Sequence, residues 1–330
     1  MRRLLPLLAA FLSLAFLAPA TPAGAKEAPA YIAIGDSRAF GVGATDPATD
    51  GYVAITYDAL HRSERYSQRG LELINLGVPG AISSDLLLPG GQLERAVVEI
   101  KERQEDTSSA DDNVEIITVN VGGNDVLALV TSDSPCVADP LSAECEDRFQ
   151  EMLDTLEDDL TQVLRRLREA APKADILVLD LYSPLAGRGG APEQVADLAV
   201  REINVVTERV VSDPELRAKL VSVYPLFRGR AAQLVAADNL HPNDDGHAVM
   251  AEVVLAAIEG REPVLPEELM TPTAVEEIVR PPLGEGGLQP VSQDEDGGGA
   301  SLPLLLAVAI PVSLLGLAAV TGAYRATRGR

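Results

Sequence analysis

The chain has 330 residues, a formal net charge of −23, two cysteines and three histidines. Nucleic-acid backbones are bound by clustered Lys and Arg, so this acidic balance excludes DNA and RNA as partners and disfavours adsorption to anionic lipid. Two cysteines with few histidines near them are too few for a structural zinc site.

At the N-terminus, Arg2 and Arg3 precede an apolar run from Leu4 to Leu17. Ala23-Gly24-Ala25, or alternatively Ala18-Pro19-Ala20, supplies the small residues of a cleavage site, which predicts a signal peptide over residues 1–25. Apolar runs rich in β-branched residues then recur at "YIAI" (31–34), "LELINL" (71–76), "VEIITVN" (114–120), "DILVLD" (175–180) and "LVSVYP" (220–225). They predict five buried strands. Helical patterns lie between them, clearest over 147–170, where Phe149, Met152, Leu153, Leu156, Leu160, Val163, Leu164 and Leu167 keep one face apolar. Strands alternating with helices predict an α/β domain with a parallel sheet over residues 26–260. Cys136 and Cys145 stand close in sequence in a chain marked for export, where thiols are oxidised, and predict a disulfide.

Residues 261–300, with "PPLGEGGLQPVSQDEDGGGAS", are rich in Pro, Gly and acid and predict a flexible stalk. Leu302–Val320 then runs without a charge, long enough to cross a bilayer, and predicts a transmembrane helix over 301–323. Arg325, Arg328 and Arg330 follow it and, by the positive-inside rule, put the tail 324–330 in the cytoplasm and the domain outside the cell membrane.

The candidate chemistry collects where strands end. "GDSRA" follows the first strand, "NLGVPG" (75–80) the second, "NVGGND" (120–125) the third, and "DNLHPNDDGH" (238–247) the fifth after a short helical stretch. Open parallel sheets bind ligands outside the carboxyl ends of their strands, so these segments are expected to share one crevice. A serine is a weak nucleophile without a histidine base, and that base needs a carboxylate to hold its tautomer. His61 belongs to the helical stretch "GYVAITYDALHRSE", away from that edge, whereas His241 follows Asp238 by three residues in a turn. Ser37, His241 and Asp238 are therefore the candidate nucleophile, base and carboxylate. His247 is expected to open the last helix as a structural residue, and Asp36 to support the turn before Ser37.

These blocks, in this order, resemble the SGNH, or GDSL-type, hydrolase superfamily. "GDS" is similar to its first block, Gly77 to the glycine of its second, Gly122-Gly123-Asn124-Asp125 to its third, and Asp238-Asn239-Leu240-His241 to its Asp-x-x-His. The resemblance covers residues 30–260. It implies a three-layer α/β/α, flavodoxin-like fold with a five-stranded parallel sheet, hydrolysis of acyl esters, and no cofactor or metal. It also makes the Ser37 and Gly77 backbone N–H groups and the Asn124 amide candidate oxyanion donors. Arg38 departs from the family's leucine at that position and is expected to be a solvated helix residue. A Gly-x-Ser-x-Gly elbow, the mark of an α/β-hydrolase, is absent because "GDSRA" lacks its final glycine.

The expected function is an extracellular, membrane-anchored serine esterase acting on a small acyl ester, with lipid or acylated sugar as alternatives for the substrate. A lipase or lysophospholipase on membrane lipids, or an inactive anchored binding module, are the rival readings. The strand-end loops are rich in Gly, Asp and Thr, with no apolar element evident, which predicts a preference for short-chain esters over bilayer lipid.

Overall fold

A computed structural model describes residues 28–105, 113–130, 134–139 and 142–266. β1 (Ala30–Gly35) runs into α1 (Ser37–Phe40) and α2 (Tyr52–Arg62), and β2 (Glu72–Asn75) is followed by α3 (Ser83–Leu86) and α4 (Gln92–Glu105). After β3 (Val114–Asn120) come α5 (Gly123–Ala128), α6 (Pro135–Ala138) and α7 (Ala143–Ala170). β4 (Asp175–Leu179) leads to α8 (Ala191–Val211), and β5 (Ala218–Val221) to α9 (Tyr224–Phe227), α10 (Ala231–Leu234) and α11 (Asp244–Glu259). The strands form one parallel sheet in the order β2-β1-β3-β4-β5, with helices on both faces.

The two cores follow from the period of two along a strand. In β1, Ile32 and Ile34 pack with Leu93 and Ile100 of α4, Leu156, Leu160 and Leu164 of α7 and Ile203 of α8. Tyr31 and Ala33 face the other way, onto Tyr52, Val53 and Leu60 of α2 and Met250 and Val254 of α11. The apolar stripe expected over 147–170 is the buried face of the 28-residue helix α7, with Phe149 and Met152 at its half-buried margin.

Two details of the strands differ from the sequence reading. β1, β3 and β4 are buried, but β2 and β5 are edge strands with exposed Glu72, Asn75 and Lys219, because each has a neighbour on one side only. The fifth strand also stops at Val221 and does not continue to residue 225. There the Asp180 carboxylate takes the N–H groups of Val223 and Tyr224, at 2.6 and 3.1 Å, and Pro225 has no N–H for a ladder.

The chain leaves β1 towards β2 on one side and returns to β3 on the other, so the strand order reverses at β1 and opens a crevice at its carboxyl end. Cys136 of α6 and Cys145 of α7 form the expected disulfide. Among the described residues no helix is long and apolar enough to cross a membrane. The segments read as signal peptide (1–25), transmembrane helix (301–323) and tail (324–330) lie outside the described residues, as does the stalk from residue 267 onward.

Candidate active site

Ser37 sits at the crevice because β1 ends one residue before a helix cap. The Asp36 carboxylate accepts the Arg38 N–H at 2.9 Å and so caps α1, whose first residue is Ser37. Asp36 thus has the turn-supporting role expected of it. Ser37 is 8% exposed.

Arg38 is not the solvated residue the sequence suggested: it is 5% exposed. Its Nε and Nη2 bond both oxygens of Asp36, at 3.2 and 3.0 Å, and its Nη1 donates to the Asp180 carbonyl at 3.2 Å. The first turn of α1 is buried at the end of β1, so the long cation there finds its acceptors in its own cap and in the backbone just past β4. Burial opposes the charge on Arg38, and the Asp36 carboxylate more than restores it, so the guanidinium stays charged.

His241 arrives on a turn that orders itself. Asp238 Oδ1 accepts the backbone N–H groups of Leu240 and His241, each at 3.0 Å, while its Oδ2 lies 2.5 Å from His241 Nδ1. Asn239, between them, takes a left-handed φ of 61°, which Asn tolerates better than most residues. One carboxylate therefore closes the turn and orients the ring. Burial raises the Asp238 pKa, but the bonds from the His241 ring and from the His241 and Leu240 amides outweigh it and hold the carboxyl down at about 2. An ionised carboxylate only accepts, so Nδ1 carries the proton and Nε2 is left as the acceptor. Nε2 stands 2.8 Å from Ser37 Oγ.

Gly77 lies between this corner and β2. A Cβ there would come within 2.7 Å of the Phe40 nitrogen and 2.8 Å of the Ala39 Cβ, so only glycine lets the β2 connection pass this close to α1. Its N–H is engaged by Asn75 Oδ1 at 3.0 Å. Asn124, in the first turn of α5, donates from its Nδ2 to the Ala81 carbonyl at 2.9 Å, which ties α5 to the same connection. Asp125 adds a second tie by accepting both the Ser83 hydroxyl, at 2.7 Å, and the Ser83 N–H.

Sequence reasoning missed the supporting groups. Asn120, fully buried at the end of β3, donates to Asp36 Oδ1 at 2.8 Å and accepts the Tyr52 hydroxyl at 2.7 Å. Gln92 clamps the end of β1, taking the Gly35 N–H at 2.7 Å and donating to its carbonyl at 2.9 Å. Tyr182, stacked on Phe227, donates its hydroxyl to the Leu240 carbonyl at 2.7 Å and steadies the His241 turn. Asn120 lay in plain view in "NVGGND", but polar residues at strand ends ordinarily turn the chain, and no spacing distinguishes one that turns inward.

The remaining histidines fall as expected. His61 is exposed on α2 beside Tyr57, while His247 is buried in α11. His247 accepts the Tyr52 N–H at Nδ1 (3.2 Å), and its Nε2 bonds the Val42 carbonyl (3.1 Å). Thr45 adds bonds of 2.7 Å from its N–H and hydroxyl to Asp244, and Gly43 (φ 97°) leaves no room for a Cβ against Pro242 O. The loop after α1 is thereby docked on the segment that carries His241. One expectation about the rim does not hold. Phe40 and Val78, on either side of the Gly77 contact, are exposed apolar residues, so the strand-end loops are not uniformly polar.

The parallel α/β/α sheet thus carries Asp238, His241 and Ser37 hydrogen-bonded in a row at its switch point. Residues 33–249 match the profile of the GDSL-like Lipase/Acylhydrolase family. The chain belongs to that family and is a carboxylic-ester hydrolase. It is 25% identical over 241 residues to the spore germination lipase LipC of Bacillus licheniformis, covering 70% of this chain and 97% of that one. The lipase Lip_vut3 from a goat rumen metagenome shares the fold, with a TM-score of 0.52, 22% identity, and coverage of 69% of this chain and 97% of its own. An extracellular lipase from Streptomyces rimosus is similar at a TM-score of 0.49 and 20% identity, over 71% of this chain and all (100%) of that one.

Proposed function

We propose that the chain hydrolyses O-acyl esters with Ser37 as nucleophile, His241 as base and then acid, and Asp238 as the carboxylate that orients the imidazole. The observation that carries this reading is the unbroken hydrogen-bond chain from Asp238 Oδ2 through the His241 ring to Ser37 Oγ, 2.5 and 2.8 Å long. As Oγ bonds to the acyl carbon, Nε2 takes its proton; as the ester C–O bond breaks, the imidazolium returns that proton to the leaving alcohol. Water then repeats the cycle on the acyl-serine, releasing the acid and restoring Ser37.

The oxyanion is bound by the Ser37 and Gly77 N–H groups and the Asn124 amide. Asn124 Nδ2 has two hydrogens and spends one on Ala81 O. Gly77 exchanges Asn75 Oδ1 for the oxyanion, which is the stronger acceptor. Export through residues 1–25 and anchoring by 301–323 would hold the domain outside the cell membrane, a reading supported by the sequence pattern at the two ends. A second reading, a lipase acting on membrane lipid, is favoured by the exposed Phe40 and Val78 and by the name of the Bacillus relative.

A serine-directed fluorophosphonate tests the mechanism. The parent chain should be labelled and should hydrolyse a soluble acyl ester, and Ser37→Ala should do neither while unfolding at the same urea concentration. Retained turnover in Ser37→Ala would mean that another group is the nucleophile.

A further inference from the structure

Ser37 and His241 are 204 residues apart in sequence, and the 2.8 Å bond between them does not last through the proposed cycle. Once Oγ carries the acyl group it has no hydrogen to donate, so its bond to Nε2 is lost in the acyl-serine. Water must then be activated by a base that its former partner no longer holds. Another contact has to keep the ring over Ser37 during deacylation.

The turn that carries His241 is closed by its own bonds. Asp238 Oδ1 accepts the Leu240 and His241 N–H groups, Ala236 N–H donates to His241 O at 2.8 Å, and Asn239 N–H donates to Ala236 O at 3.0 Å. These bonds lie within residues 236–241, so they fix the shape of the turn and not its place over the sheet. The loop after α1 reaches the segment further on, past the turn, at Asp244 and His247. The peptide between Leu240 and His241 is itself gripped from outside: Asp238 holds its N–H, and the Tyr182 hydroxyl meets its carbonyl at 2.7 Å. A carbonyl only accepts, so the phenol donates, and burial holds its pKa well above the ordinary range.

Tyr182 belongs to residues 180–182, just past β4, where each residue is held by a different element. Asp180 N–H donates to Val221 O at 3.2 Å, and the Asp180 carboxylate takes the Val223 and Tyr224 N–H groups. Leu181 is clasped by Asn204 of α8, which accepts its N–H and donates to its carbonyl, both at 2.8 Å. The Tyr182 ring stacks on Phe227 of α9 with centroids 4.1 Å apart. From the same stretch, Asp180 O accepts Arg38 Nη1 at 3.2 Å, and Arg38 is the residue next to Ser37. One anchored stretch therefore touches the neighbour of the nucleophile and the neighbour of the base.

We propose that residues 180–182 are a rigid gauge between the two, with Arg38 and Tyr182 as positioning residues whose hydrogen bonds hold His241 in register with Ser37 while the serine is acylated. The inference rests on the roles given above to Ser37 and His241 and adds which groups sustain the second half of the cycle.

The test uses the full chain and a p-nitrophenyl ester, for which kcat/KM reports acylation and a burst of p-nitrophenol reports acyl-serine that accumulates. Tyr182→Phe keeps the ring on Phe227 and removes only the bond to Leu240 O. It should lower kcat on the order of tenfold, the loss of about one hydrogen bond, and enlarge the burst. KM should fall with kcat, so that kcat/KM stays within about twofold of the parent, and the urea midpoint should stay near the parent's. Arg38→Lys, which keeps a charge beside Asp36 but has no planar fork to reach Asp180 O as well, should give the same signature. The two arms act in series, so the double variant should lose little beyond either single one. An equal fall in kcat and kcat/KM, an unchanged kcat, or losses that multiply in the double variant would each overturn the inference. A Ser37→Ala chain that still turns over the ester defeats the nucleophile reading and the inference with it. An inactive Ser37→Ala beside a Tyr182→Phe chain indistinguishable from the parent defeats the inference alone.

Discussion

Arg38 stands beside Ser37 as half of a buried ion pair with Asp36. Removing one partner of such a pair costs far more than the pair contributes, because the other is left charged in a dry site. Arg38→Leu should therefore lose on the order of 3 kcal/mol in urea unfolding, and the added change Asp36→Asn, which keeps a capping oxygen, should return most of it. A single variant as stable as the parent would show that water or another donor compensates Asp36. His247 is tested through pH. Burial lowers its pKa from 6.5, the charge of a protonated His241 adds to this, and the Val42 carbonyl and Asp244 oppose it only in part. The folded state then binds its proton less readily than the unfolded chain, so this contribution to stability is complete above about pH 6.5 and is lost as pH falls below it. Protonation would also turn Nδ1 from an acceptor into a donor facing the Tyr52 N–H. The urea midpoint should fall between pH 7.5 and 5.5, and His247→Asn, less stable at pH 7.5, should show a shallower fall; parallel profiles would place the acid sensitivity elsewhere.

Among elements, the short helix α1 is the piece whose placement bears most on the proposed chemistry, since Ser37 opens it and Phe40 closes it. It is held from below by Asp36, Asn120 and Arg38 and from the side by the backbone at Gly77. Gly77→Ala puts a methyl group into the α1 backbone, and neither segment has a flexible side chain that can yield there. A displacement of about an ångström at a reacting group costs on the order of 10²-fold in rate. Gly77→Ala should lower kcat by that order with a much smaller effect on KM, and an unchanged kcat would show that the corner tolerates the shift.

For the whole molecule, the central expectation is topological. If the domain is exported and anchored as proposed, protease added to intact cells should cut within 261–300 and release a soluble, active fragment. Protection of the domain while other surface proteins are digested would put it on the opposite side of the membrane.

Much of this was legible in the chain itself, for reasons that are local. Strands buried on both faces must be apolar throughout and amphipathic helices must repeat every three to four residues, so the parallel sheet and α7 follow from composition along the line. Asp238 and His241 were legible because a single turn forms both contacts, and the turn needs that spacing. What only the tertiary structure decided involves partners distant in sequence. Whether Arg38 points into water or onto Asp180, whether Asn120 turns outward or beneath Asp36, and whether Gly77 passes against Ala39 and Phe40 depend on which strand ends become neighbours. The order β2-β1-β3-β4-β5 brings those ends together, and the free energy that selects it is spread over both cores, so no short stretch of residues encodes it.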